Sequence, residues 1–430
     1  MNERLDLIIR FLLCVLIFWL PYSPAVVEIC VIASVILWIF KRGLSLYAMR
    51  DSSSENLFRK FLRAFRPTPS FLDVPIGIFL FICIISIPFS RMIEHSLHGF
   101  ITKTLEWFVI YYLVLEVFTK RRAIYAALGI FIFTAFSTAI DSIVQYYFLH
   151  RDIFLSNTLD AGRATAGFHY ANSLAGYLTI IVPLVVSLFF LPMARPFYRI
   201  FSVVILAAVA WSLAITFSRM GWVAAFCGIL FLFFIMRRYV LLGAVLMSLS
   251  IMLYVLSLSS SLTPLESRFS AENLESVSSW RARLWRDSLK MIEERPLLGH
   301  GLNTYMRLFQ DYREKFLDHY DFHPTYAHNG YLQIAVEVGL IGLASFLAII
   351  YVLFRRIFVW AASLHDRQDN LFIIAMGLAS GVAAFLMHSF FDTNLHSLKL
   401  VSHLWVTIGL LVATYKIISS QESQLRSIKV

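Results

Sequence analysis

The chain has 430 residues, 59% of them hydrophobic and 15% charged, with a mean hydropathy of +0.72. Soluble domains hold about 45–50% apolar and about 25% charged residues, so the composition excludes an ordinary soluble domain and points to an all-α integral membrane protein. The formal net charge of +10 is read first as topology, because Lys and Arg collect in inner loops, and no nucleic-acid partner is expected.

Apolar runs of spanning length fall at roughly 5–20, 25–40, 71–89, 100–118, 123–149, 171–191, 200–217, 220–236, 239–258, 327–354, 371–390 and 398–418. They predict about 12 transmembrane helices, the first being an uncleaved helix, since Pro21–Pro24 is no small-residue cleavage site and a second run follows at once. With the N-terminus inside, Lys41, Arg42, Lys120–Arg122, Arg237, Arg238, Arg355, Arg356 and Lys416 all fall on the inner side. The short outer connections hold only Arg91, Arg151, Arg163 and Arg219. That asymmetry predicts an N-in/C-in arrangement. Cys14, Cys30, Cys83 and Cys227 lie inside apolar runs, so no disulfide framework follows.

Three blocks result: helices one to nine over 1–258, one large outer loop over 259–326, and helices ten to twelve over 327–430. Within the first block, 57–66 puts Leu57, Phe58, Phe61, Leu62 and Phe65 on one helical face and Arg59, Lys60, Arg63 and Arg66 on the other. That pattern predicts a helix lying on the anionic inner leaflet, with membrane lipids as partners. Farther along, Lys103 and Glu106 are three apart on one helix and can pair with each other. The outer loop carries two amphipathic patterns. Trp280, Leu284, Leu289 and Ile292 keep near-helical spacing before Pro296 and Gly299. A second helix is expected from Asn303, as its cap, to Tyr320, with Tyr305, Phe309, Tyr312 and Phe316 on one side.

Chemistry concentrates where the loop turns into the tenth run. His328 and Asn329 stand at that junction, placing an imidazole at a helix N-terminus, a position that suits a neutral general base. Gly339 and Gly342 lie deeper and are expected to let another helix approach. Outward arginines run against the charge bias and need a local reason: Arg163 near Asn172, Arg219 in the turn Thr216–Trp222, and Arg281, Arg283 and Arg286 on the loop helix. A guanidinium suits a diphosphate because it stays charged and bonds through a planar fork. Asp392, on a short outer turn, is a candidate to orient His328 or to bind a sugar hydroxyl, and Glu337 is an alternative helper. No HExxH, Cys/His cluster, DxD, Walker A or GxGxxG pattern occurs, so neither a metal nor a cofactor is expected.

Together, His328, Asn329, Gly339 and Gly342, with the blocks Gly162–Asn172, Ser218–Trp222 and Arg281–Gly299, resemble the O-antigen ligase/polymerase superfamily of bacterial envelope glycosyltransferases. One position departs: Val223 stands where ligases often carry Leu. The resemblance implies a multi-pass protein of the bacterial inner membrane whose active site faces the periplasm, within lipopolysaccharide biosynthesis. Its donor would be an undecaprenyl-diphosphate-linked glycan and its acceptor a hydroxyl of lipid A-core. In that reading His328 is the base, Arg219 and Arg281 hold the diphosphate, and Arg163, Arg283, Arg286, Asn172, Asn329 and Asp392 bind substrate. An O-antigen polymerase and a protein O-oligosaccharyltransferase share the fold and stay open as alternatives. From another class, a lipid-linked sugar flippase would predict repeat symmetry and broken helices at mid-membrane.

Overall fold

The computed structural model describes residues 2–49, 56–192, 196–258, 271–312, 326–363 and 368–428. Its helices are α1 Asn2–Trp19, α2 Pro24–Ala48, α3 Leu57–Phe65, α4 Asp73–Ser86, α5 Ile93–Gly99, α6 Leu105–Val117, α7 Arg121–Val144 and α8 Ala171–Leu188. They continue with α9 Pro196–Ile215, α10 Arg219–Ile235, α11 Tyr239–Leu258, α12 Ala271–Glu294, α13 Tyr305–Tyr312, α14 Gly330–Ser363, α15 Asn370–His388 and α16 Leu398–Ile428. Single π turns join α5 to α6 and close α7. The remainder of the expected second loop helix, 313–320 with Phe316, lies outside the described residues, as does 259–270.

Every apolar run of the sequence falls on one of these helices, and seven segments are long and apolar enough to cross a membrane. Apolar side chains on both faces remove the polar stripe of a soluble helix, and each helix satisfies its own backbone. α8, α15 and α16 are buried nearly all round and form the centre, with α10 against α8 and α15, and α6 against α16. Small residues let these axes close up: a Cβ on Gly381 of α15 would lie 2.4 Å from the Ile180 carbonyl oxygen of α8.

The two ends of the bundle are polar in different ways. At one end Lys41 bonds Asp6 and Glu116, Arg42 bonds Glu116, and Arg121 bonds Asp369. At the other, the buried Lys399 at the start of α16 donates to the carbonyls of Pro21, Tyr22 and Gly167 at 2.9, 3.1 and 2.7 Å. That side chain ties the first turn and the 150–170 loop to the last helix, at the end where His328 lies.

Several local expectations change. α3 forms with Asn56 as its cap, and Leu57, Phe58, Phe61 and Leu62 are exposed, but Lys60 turns inward and is 6% exposed. A long stem can bury its methylenes, so Lys60, off the apolar face as its spacing predicts, still packs inward. Lys103 does not pair with Glu106; its Nζ bonds Asn303 Oδ1 at 2.7 Å. Asn303 does not cap α13, which begins two residues later after Thr304. Finally, Gly339 seats no second helix. It breaks α14 with φ 76° and ψ 178°, and the loop at Leu297–Leu298 runs against it, where a Cβ would meet the Leu297 carbonyl oxygen at 2.0 Å. Gly342 likewise accommodates Val338 of its own helix. Across the break His300 N bonds Val336 O and Gly301 N bonds Glu337 O, both at 2.9 Å, and Leu340 N bonds Pro296 O at 2.8 Å.

Candidate active site

Asn329 caps α14, its Oδ1 accepting from Tyr331 N and Leu332 N at 3.0 and 3.1 Å. This is the ordinary N-cap role of an Asn side chain, which leaves the amide no free acceptor for substrate along those directions. The residue before it, His328, has φ 47°, a left-handed conformation uncommon for a side chain of this size. Its backbone is pinned on the far side, because Gly330 N donates to the carbonyls of Ser389 and Asp392 at 2.8 and 3.2 Å. The turn that carries Asp392 is thereby clamped onto the start of α14.

The side chains follow the backbone. His328 Nδ1 lies 3.3 Å from Asp392 Oδ1, and the imidazole is still partly exposed. Burial alone would raise the Asp392 pKa; the hydrogen bond and charge of His328, the charge of His388 and the Thr393 N–H outweigh it and hold the carboxyl well below the usual range. His388 and Asn394, which sequence reasoning did not select, complete the turn: the Asn394 amide bonds His388 Nδ1 at 2.7 Å. The only trace of them in the sequence is the cluster of polar residues, broken by Phe390, Phe391 and Leu395, from His388 to His396 between two apolar helices.

α12 is brought over this turn by Trp285, whose indole N–H bonds the Ala327 carbonyl at 3.2 Å and whose ring meets Phe390 edge-on at 5.9 Å. Arg281, one helical turn earlier, is placed where it senses both Asp392 and Arg219. Burial lowers the Arg281 pKa first, the Asp392 charge opposes this, and the Arg219 charge adds to it. The Nε atoms of Arg281 and Arg283 are buried with no hydrogen-bond partner. Arg286 projects from the exposed side of α12. Arg219 is the first residue of α10, aimed by Phe217 at φ 50°.

Arg163 and Asn172 have a different setting. Arg163 Nε donates to the Thr216 carbonyl at 2.7 Å and its NH2 to Asn172 Oδ1 at 2.6 Å, with Asp160 3.9 Å away. These two side chains hold the 150–170 loop against the turn preceding Arg219. The structure thus brings His328, Asp392 and Arg281 together, with Arg219 near enough to Arg281 for its charge to be felt, and bonds Arg163 and Asn172 to each other. Among the described residues no three His, Cys, Asp or Glu side chains converge as a metal site.

No curated protein matches the chain. Residues 208–347, about a third of the chain, match the family model described as O-antigen ligase. That segment carries Arg219, Arg281, Asn329 and His328, while Arg163, Asn172 and Asp392 lie outside it. Seven helices long and apolar enough to cross a membrane fit a multi-pass membrane protein, and its 208–347 segment is similar to the O-antigen ligase family.

Proposed function

We propose that the chain is an O-antigen ligase. It transfers a glycan from undecaprenyl diphosphate to a hydroxyl of lipid A-core at the periplasmic face of the inner membrane, with N-in/C-in topology. The observation that carries the reading is the His328–Asp392 pair, 3.3 Å apart, near Arg281, whose buried Nε has no hydrogen-bond partner. A carboxylate accepts from Nδ1–H and so fixes the tautomer, leaving Nε2 as the basic nitrogen. His328 Nε2 takes the acceptor hydroxyl proton as the oxygen attacks the anomeric carbon. The bond from that carbon to the diphosphate breaks, and the departing anion gathers negative charge.

Arg219 and Arg281 face that charge. Two cations near one another repel in the empty site, and a bound diphosphate relieves this, most strongly as its charge grows. Guanidinium charge is permanent, so the clamp works without a divalent ion. A single displacement inverts the anomeric centre. Arg283 and Arg286, on a different side of α12 from Arg281, are assigned to the glycan.

The test is transfer by purified protein with undecaprenyl-diphosphate-linked glycan and lipid A-core, in EDTA and without ATP. Glycan joined to lipid A-core is the expected product. Lengthened lipid-linked glycan would assign polymerase activity instead, modification of an added protein acceptor would assign protein glycosylation, and no product from folded protein would favour transport.

A further inference from the structure

A second polar group stands beside the His328–Asp392 pair and takes no part in the chemistry above. Asn303 is its hub. Its Oδ1 receives Lys103 Nζ at 2.7 Å and lies 3.4 Å from His396 Nε2, while its backbone N–H bonds Glu337 Oε2 at 2.9 Å. Glu337 is 4% exposed, takes a longer bond from Gln333 Nε2 at 3.3 Å and lies 3.8 Å from His396 Nε2. Gln333 Oε1 is buried with no partner at all. A carboxylate and an orphaned carbonyl inside an apolar bundle are costly unless something answers them.

What they face is a cavity of about 230 Å³, lined among others by Lys103, Asn303, Arg307, Tyr326, Glu337 and His396. A narrow adjoining pocket, which shares Lys103, Asn303, Glu337 and His396 with it, reaches Gln333. Its chemistry is mixed in a specific way. Lys103 and Arg307 donate, and Glu337 and Gln333 accept. The rings of Tyr326 and His396, 5.2 Å apart and tilted, present apolar faces. Burial, with the Lys103 charge acting in the same direction, pushes the His396 pKa down to about 3, so its ring is a neutral donor–acceptor. A purely anionic ligand has no donor for the orphaned Gln333 carbonyl, and a purely apolar one would strand the polar side chains. A hydroxyl-bearing ring with apolar C–H faces satisfies both sets.

We infer that this cavity is a saccharide subsite, where one sugar ring of a substrate docks on Tyr326 and His396 with its hydroxyls on Lys103, Arg307 and Glu337. The inference rests on the glycan-transfer reading for its ligand class. The position suits it. Tyr326 is two residues from His328 and so within about 7.6 Å of it along the chain. His396 follows Asp392 by four residues. A glycan threaded from this cavity toward His328 is held one ring away from the reacting centre.

Donor and acceptor both carry saccharides, and binding tells them apart. The full-length protein is titrated with two lipid-free probes, the oligosaccharide released from lipid A-core and the delipidated donor glycan, followed by saturation-transfer NMR. Arg307→Ala and Tyr326→Ala are compared with wild type, Arg307 being exposed enough to leave folding intact. Both variants are expected to weaken one probe by about tenfold, the loss of one good contact, with the other probe unaffected. In transfer assays KM for the same substrate rises by the same factor, with kcat within about twofold. The probe that weakens identifies the source of the ring. Unchanged binding of both probes in both variants, or no binding of either by wild type, overturns the subsite. Variant-sensitive binding without any transfer leaves the subsite standing and overturns the ligase reading instead.

Discussion

Arg163 and Arg281 are the same side chain at the same end of the bundle, and their surroundings are opposite. Arg163 spends its guanidinium on the Thr216 carbonyl and Asn172 Oδ1, whereas Arg281 keeps a buried Nε without a partner and stands within reach of another cation. A satisfied guanidinium is a strut. One left short of acceptors in a buried place is set for an anion that comes and goes. An outward arginine in a membrane protein is therefore weak grounds for a binding role, and its hydrogen-bond ledger is the stronger sign.

The largest expected effect lies on neither arginine. His328→Ala should lower transfer by about 10³-fold, within the range for loss of a general base, with folding unchanged by size-exclusion chromatography. Near-normal turnover would remove His328 from the chemistry. Next, Arg281→Lys and Arg219→Lys should each cost about 10²-fold in kcat, because an ammonium loses the planar fork. Their thermal stability should stay close to wild type, since the substitution keeps the positive charge. A fall in melting temperature without a fall in kcat would make Arg281 a strut after all.

Asp392→Asn should reduce kcat by about tenfold or more through loss of the tautomer. Its stability penalty carries a pH signature. A carboxyl held lower in the folded state stabilises above its unfolded value of about 3.9 and loses that contribution as the pH falls toward the folded value. The difference in melting temperature between variant and wild type should therefore hold steady from pH 7 to about 4 and shrink only as the pH falls below about 3.9. A difference that stays constant below that point would place the effect in packing. Smallest of all in turnover, Arg163→Ala should change transfer by less than about fivefold yet lower the melting temperature, as expected on losing two charged hydrogen bonds. A loss in turnover matching that of Arg281→Lys would collapse the distinction between the two arginines.

Much of this was legible in one dimension. Runs of apolar residues report burial, and each falls on a helix. The loop-to-helix step at His328 was visible as a change of composition, and the turn bearing Asp392 as polar residues between two apolar runs. Partners were not legible. Lys103 passes over Glu106, three residues away, for Asn303, two hundred residues on, because helix–helix packing, not local spacing, sets its neighbours. Arg163 and Arg281 read alike in the sequence for the same reason. Lys60 was assigned by helical angle to the polar face, and only the position of α2 shows why its stem turns inward. Gly339 announced a close approach correctly in kind, but what approaches is a loop, and the glycine answers with a backbone turn that no periodicity encodes.

That turn has a mechanical consequence. Because the α14 carbonyls at Val336 and Glu337 are taken by His300 and Gly301, and Leu340 N by Pro296, the connector leading out of α12 is stitched into the helix that begins beside His328. In the proposed mechanism, base and clamp therefore stand on segments joined by backbone hydrogen bonds as well as by the chain. When bilayer thickness changes, a long helix adapts by tilting, and a loop attached only by its ends would lag behind. The stitching is expected to let the two proposed groups keep their spacing as membrane thickness varies.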